Sequence, residues 1–258
     1  MKQYVVDAFT DRVFAGNPAA VLLLDAWLPE RLMQQIAIEN NLSETAFLVK
    51  EQGLYHIRWF TPGGEVDLCG HATLASAYVI TRFAEPEAKE LHFISQSGPL
   101  QVRVKGDLLE LDFPSRMPEE IPFTPAMQEA LKGLRGGAYI SRDLMLVLEK
   151  EEEVCDFEPD SRLIESLPGM GLILTAPSQS YDFVSRAFFP KDKIPEDPVC
   201  GSAHCNLIPY WAKKLGKEKL IAYQASPRGG ILYCENRGDR VLIAGRAALY
   251  SIAELFLP

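Results

Sequence analysis

The sequence is short of positive charge: 26 Lys and Arg stand against 35 Asp and Glu, a formal net charge of −9. Such a surface repels a phosphate backbone and offers an anionic bilayer no basic tract, which excludes nucleic acid and membrane surfaces as expected partners. No apolar run approaches the ~18 residues of a spanning helix. The opening stretch "MKQYVVDAFTDRVF" alternates and meets Asp7 and Asp11 too early for the core of a signal peptide, so the expectation is a cytoplasmic protein. Cysteine is sparse and odd in number: Cys69, Cys155, Cys200, Cys205 and Cys234 follow no regular spacing. In a chain too long to depend on stapling, they read as reduced thiols. Cys69, His71, Cys200, His204 and Cys205 are zinc-ligand types, but Cys-x-His and Cys-x₃-His-Cys are not the C-x₂-C spacings of structural sites. No metal is expected.

What is abundant is apolar residues, 47% of 258, enough for one large domain or two small ones. Short strand patterns fill both halves: "QYVVDAF", "AAVLLL", "TAFLVK", "YHIRWF", "LHFIS", "LQVRV" and "LLELDF", then "AYISR", "LMLVLE", "LILTA", "YDFVSRAFF", "LIAYQ", "GILYC" and "RVLIAG". Pro29 to Asn40, with Leu32, Met33, Ile36 and Ile38 near helical spacing, predicts an amphipathic surface helix. Gly70 to about Phe83 carries small apolar residues around its whole circumference and predicts a helix buried on all sides. A second apolar helix is predicted from Gly201 to about Leu215, kinked or loosened by Pro209. The Pro-rich passage Phe113 to Pro125 reads as an interdomain linker.

Two blocks share one layout: "EVDLCGHATLASAYVI" (Glu65 to Ile80) and "EDPVCGSAHCN" (Glu196 to Asn206) both run from acid to Cys-Gly to a small-residue helix. They lie about half the chain apart, which suggests two similar domains facing each other across a cleft. A helix N-terminus presents unpaired N–H groups and a positive dipole end, so each tip can bind a small anion, and Gly70 and Gly201 let a ligand approach closely. Cys69 and Cys200 at those tips are either thiols with a lowered pKa or small buried apolar residues at tight turns. Asp197 is held extended by Pro198. His71 and Ser202 sit two residues beyond each Cys, where a core histidine and an N-cap serine are the plainer readings. Glu44, opening an apolar strand in "NNLSETAFLV", is either exposed at the strand end or a buried general acid/base.

With these residues laid out, the chain resembles the PhzF-like (phenazine biosynthesis PhzF) family through "FAGNPAAV" (Phe14 to Val21), "NNLSETAF" (Asn40 to Phe47), "RWFTP" with "EVDLCGHATLASA" (Arg58 to Ala77), and "EDPVCGSA" (Glu196 to Ala203). The resemblance implies an α+β, diaminopimelate epimerase-like fold of two pseudo-symmetric domains, each a β-barrel-like sheet around a central helix. On that reading the domains are 1–116, with about 248–258 returning to it, and 117–247. It also implies that Glu44 takes and returns a proton and that His71, Asp197 and Ser202 orient substrate or relay the proton. Gly70, Gly201, Cys69, Cys200 and Asn17 would contact substrate, and Gly16 would help shape the pocket floor. The implied reaction is a cofactor-independent isomerisation of a small carboxylate, and the implied assembly a homodimer. Cys69 and Cys200 together also resemble the paired thiols of diaminopimelate epimerase, so a two-cysteine racemase or epimerase is one alternative. A small-molecule binder without catalysis is another.

Overall fold

Val6, Ala19, Val21, Ala46 and Trp59 lie on four successive strands and are all buried, and β-runs such as Glu44–Val49 are buried on both faces. The computed structural model describes residues 1–257. Two units emerge from its contacts: Met1–Asp112 together with the segment from Ala244, and Phe113–Ile243.

The first unit runs β1 (Lys2–Ala8), β2 (Asn17–Leu24), α1 (Glu30–Asn40), β3 (Glu44–Glu51), β4 (Leu54–Thr61), β5 (Gly64–Val66), α2 (Gly70–Phe83), β6 (Glu90–Ser95), β7 (Gly98–Lys105) and β8 (Leu108–Pro114). β1 is antiparallel to β2, and β2 is parallel to β3 across α1. β3 is antiparallel to β4, which pairs antiparallel with β5 and, across α2, parallel with β6. α1 packs Met33, Ile36 and Ala37 against Leu22, Phe47, Val49 and Phe60. Ile38, read as part of that stripe, instead turns outward at 53% exposure. α2 buries His71 to Ala77 with Val79 and Ile80, the all-round burial that its small residues predict.

The second unit repeats this succession: β9 (Glu119–Ile121), α3 (Pro125–Ala130), β10 (Gly137–Ile140), β11 (Leu144–Val147), α4 (Glu151–Cys155), α5 (Ser161–Glu165), β12 (Leu172–Pro177), β13 (Phe183–Phe189), β14 (Ile194–Asp197), α6 (Gly201–Leu215), β15 (Lys219–Gln224), β16 (Gly230–Asn236) and β17 (Arg240–Gly245). β10 is antiparallel to β11, β11 parallel to β12, and β12 antiparallel to β13. β13 then pairs antiparallel with β14 and, across α6, parallel with β15. Short strand, helix, parallel return: the step that carries α2 in the first unit carries α6 in the second. Finally β18 (Ala247–Glu254) pairs with β1. The mixed strands and separate helices make the class α+β. Among the described residues, no helix is long and apolar enough to cross a membrane.

One expectation changes. The Pro-rich passage is not a free linker throughout, because Glu119–Ile121 pairs with β10 and Thr124 caps α3 by accepting from the Met127 N–H at 3.3 Å. Pro209 does not break α6. It cannot donate to the Cys205 carbonyl, and that carbonyl accepts from the Arg116 N–H at 2.9 Å instead.

Candidate active site

The sequence candidates fall into one group in each unit. In the first unit, α1 ends on Asn41 in the left-handed region (φ 49), and the chain re-enters the sheet at Glu44. Parallel pairing sets Glu44 opposite Ala19, two residues beyond Asn17. Cys69, extended at φ −142 and ψ 117, opens α2 and places His71 in its first turn. The four side chains meet there. Glu44 Oε2 lies 3.0 Å from His71 Nε2, and His71 Nδ1 lies 3.2 Å from Asn17 Nδ2 and 3.5 Å from Cys69 Sγ. All four residues are buried.

In the neutral ring, with the Asn17 nitrogen assigned to that side, Nδ1 accepts from the amide and the ring proton sits on Nε2, facing Glu44. The Glu44–His71 contact is at ion-pair distance yet off hydrogen-bond alignment, and both Oε2 and Nε2 are buried without an aligned partner. Burial would lower the His71 pKa, but its interactions with Cys69 and Glu44 outweigh it and the net direction is well up. Burial and then the charge of Glu44 push the Cys69 thiol up, with His71 pulling it partly back. Gly70 follows at the helix tip, and no acidic residue occupies the first turn. Glu44, Cys69 and His71 also offer three metal-ligand atoms within 4.8 Å of one another.

In the second unit, β14 delivers Asp197 to the start of α6, and Cys200 caps it with the same extended backbone (φ −105, ψ 106). Gln224, fully buried, holds this approach: its Oε1 accepts from the Cys200 N–H at 2.8 Å and its Nε2 donates to the Asp197 carbonyl at 2.6 Å. Cys200 Sγ lies 3.3 Å from Ser202 Oγ, which also accepts from Arg142 Nη2 at 3.0 Å. Gly201 lies between the two, buried in the first turn of the helix. Burial, followed by the charge of Asp197, pushes the Cys200 thiol well up. For both cysteines burial therefore overrides the helix dipole, which favours the buried-thiol alternative over the poised thiolate. Ser202 lies inside the first turn and does not cap the helix; Cys200 holds that position.

The cap carbonyls are also fixed alike. Thr73 Oγ1 donates to the Cys69 carbonyl at 2.5 Å, and His204 Nδ1 donates to the Cys200 carbonyl at 2.7 Å, each from four residues along. His204 is fully buried, and burial lowers its pKa to about 4, from 6.5, against the modest upward effect of that carbonyl. The unfolded chain takes up this proton below pH 6.5, while the native chain refuses it until about pH 4. This contribution is whole above pH 6.5 and declines as pH falls toward 4, by up to about 3 kcal/mol. Urea titrations at pH 7 and 4.5 should show His204→Gln losing less stability across that interval than the wild type. An equal loss would refute the assignment.

Arg142 and Gln224 escaped the sequence reading. Arg142 closes the strand pattern "AYISR", which the structure ends at Ile140, and Gln224 closes the strand pattern "LIAYQ". The only signal was polarity at the edge of an apolar run.

Residues 6–252 match the family described as phenazine biosynthesis-like protein, PhzC-PhzF. A Pseudomonas aeruginosa protein named an uncharacterized isomerase is 48% identical over 254 residues, 98% of each chain. A crystal structure of a PhzF-family phenazine biosynthesis protein from Enterococcus faecalis superimposes with a TM-score of 0.97 at 55% identity, covering 99% of both chains. A hydroxyproline epimerase from Agrobacterium vitis shares the fold alone, at 9% identity and a TM-score of 0.62 over 98% of this chain and 91% of that one. With a match that spans nearly the whole sequence, the chain belongs to the phenazine biosynthesis-like PhzC-PhzF family, and it is an isomerase.

Proposed function

We propose that this isomerase moves a proton on a small carboxylate substrate without a cofactor, with Glu44 as the acid/base. The observation that carries the reading is the pair of orphaned buried atoms, Glu44 Oε2 and His71 Nε2, at 3.0 Å. A buried carboxylate whose facing partner is out of alignment can accept a substrate proton without first giving up a well-made hydrogen bond. His71, with its Nε2–H toward Glu44, steadies the ionised carboxylate and relays the proton. Asn17 fixes the ring from behind. On this reading Asp197 and Ser202 are polar active-site residues at the tip of α6, and the two units are two copies of a barrel-like sheet, one around α2 and one around α6. General acid/base action supplies about 10²- to 10⁴-fold, so fixed dipoles at the helix tips must contribute much of the remaining acceleration.

The test is wash-in of solvent deuterium by wild-type protein across a panel of small carboxylates in D₂O. Exchange at a carbon adjacent to an unsaturated or carboxyl-bearing centre is expected for at least one compound. A panel that is bound but never exchanged would defeat the reading. A second reading draws on the matched cysteines, which share the cap position, the extended backbone and a polar side chain two residues on. It has Cys69 and Cys200, rather than Glu44, moving the proton. In the same assay that reading requires exchange to vanish in the Cys69→Ser, Cys200→Ser double variant, whereas the Glu44 reading lets it persist.

A further inference from the structure

We propose that Arg142 is the specificity-determining residue of the α6 half-site, selecting a substrate that presents a carboxylate beside Cys200 and Ser202. This rests on the reading of the protein as an isomerase of small carboxylates and adds the group that recognises the charge. Arg142 sits in the turn between β10 and β11, and that turn is anchored. The Met170 N–H donates to the Arg142 carbonyl at 3.0 Å, and the Leu144 N–H donates to the Gly171 carbonyl at 2.9 Å.

The guanidinium is fixed as well. Nε donates to both oxygens of Asp143 at 3.1 and 3.2 Å, and Nη2 donates to Asp143 Oδ2 and to Ser202 Oγ, both at 3.0 Å. Asp143 is fully buried and also accepts from Asn206 Nδ2 at 3.4 Å, so the carboxylate that pins Arg142 is itself pinned. The Phe189 ring lies 5.8 Å from the guanidinium carbon. Yet the side chain stays 38% exposed, and its Nη1 edge donates to no protein group among the described residues.

A positioning strut for Ser202 would need one donor, which a neutral amide supplies without burying an aspartate. A planar cation pinned by a buried carboxylate, with Nη1 left over, can hold one carboxylate oxygen of a ligand at fixed geometry. Ser202 Oγ joins that cation to Cys200 Sγ, 3.3 Å further on. A carboxylate on Arg142 is therefore one side chain, Ser202, removed from the thiol at the first turn of α6.

The experiment uses that adjacency and needs no turnover. Iodoacetate and iodoacetamide alkylate a thiolate at the same carbon, releasing iodide with the thiol proton going to buffer, and differ only in charge. Their rates at Cys200 are followed by peptide mass spectrometry on the full chain. The iodoacetate-to-iodoacetamide ratio at native Cys200 is expected to exceed the ratio at the same residue in urea by about tenfold or more. Arg142→Gln should abolish that excess and Arg142→Lys should keep part of it. The proposal is overturned by native and unfolded ratios that agree, by an excess that survives Arg142→Gln, or by a native Cys200 that iodoacetate never reaches. If Arg142→Gln does not fold, the native-to-unfolded comparison on wild type still decides. Loss of the charge preference would leave the Glu44 reading intact, while a Glu44 variant that still exchanges deuterium would leave Arg142's preference intact.

Discussion

Replacing Glu44 by Gln should slow solvent deuterium exchange on an accepted carboxylate by about 10²- to 10⁴-fold, with substrate affinity nearly unchanged. The amide keeps the size of the carboxyl and its place opposite Ala19 on the β2–β3 ladder, so strand and pocket should survive. What it loses is the capacity to hold a proton taken from carbon. The residue is 9% exposed, so bulk water is a poor substitute for the missing base. A second readout separates this role from a structural one. The charge of Glu44 is among the influences that hold the His71 pKa well up, so in Glu44→Gln that pKa should fall, measurable by ¹⁵N chemical shifts of the imidazole. A variant that exchanges deuterium within a few-fold of wild type would end the assignment of Glu44 as the base. A fall in exchange with His71 unmoved would show that the two side chains do not work as a pair.

How much of this could be read beforehand depended on the range of the interaction. The all-round burial of α2 is written in consecutive small residues, and the two cap cysteines in a local Cys-Gly pattern, so both were legible. Glu44 was legible as a candidate, but not its partner geometry, which depends on β2 and α2 meeting at β3. Arg142 was invisible because Ser202 is 60 positions away and nothing in "SRD" marks a turn that reaches a helix tip. The donor that satisfies the Cys205 carbonyl opposite Pro209 was invisible for the same reason: it is Arg116, in a passage read as linker. For the cysteines, the local pattern left a dipole-lowered thiol and a buried thiol both open, and burial, which only tertiary packing supplies, decides for the second.

Gly16→Ala should be the most damaging single-methyl change in the first unit, costing about 4 kcal/mol or more. Gly16 stands at φ +65 just before Asn17, and a Cβ there would meet the Ala8 carbonyl oxygen at 2.1 Å and Thr10 Cγ2 at 2.8 Å. Left-handed backbone alone costs an alanine about 1–2 kcal/mol. Gly53, at φ +85 with nothing within 4 Å of a would-be Cβ, measures that cost by itself, so Gly53→Ala should lose only this amount. The remainder at Gly16 comes from pushing apart the end of β1 and the start of β2, where Ala8 pairs with Asn17. That displacement falls on the residue whose Nδ2 backs His71 Nδ1, so the damage should extend from stability to chemistry. Urea unfolding of both variants checks the first part, and deuterium exchange under conditions where Gly16→Ala remains folded checks the second. Equal losses at positions 16 and 53 would mean the β1–β2 junction yields easily. Undiminished exchange in folded Gly16→Ala would mean that Asn17 does not govern His71.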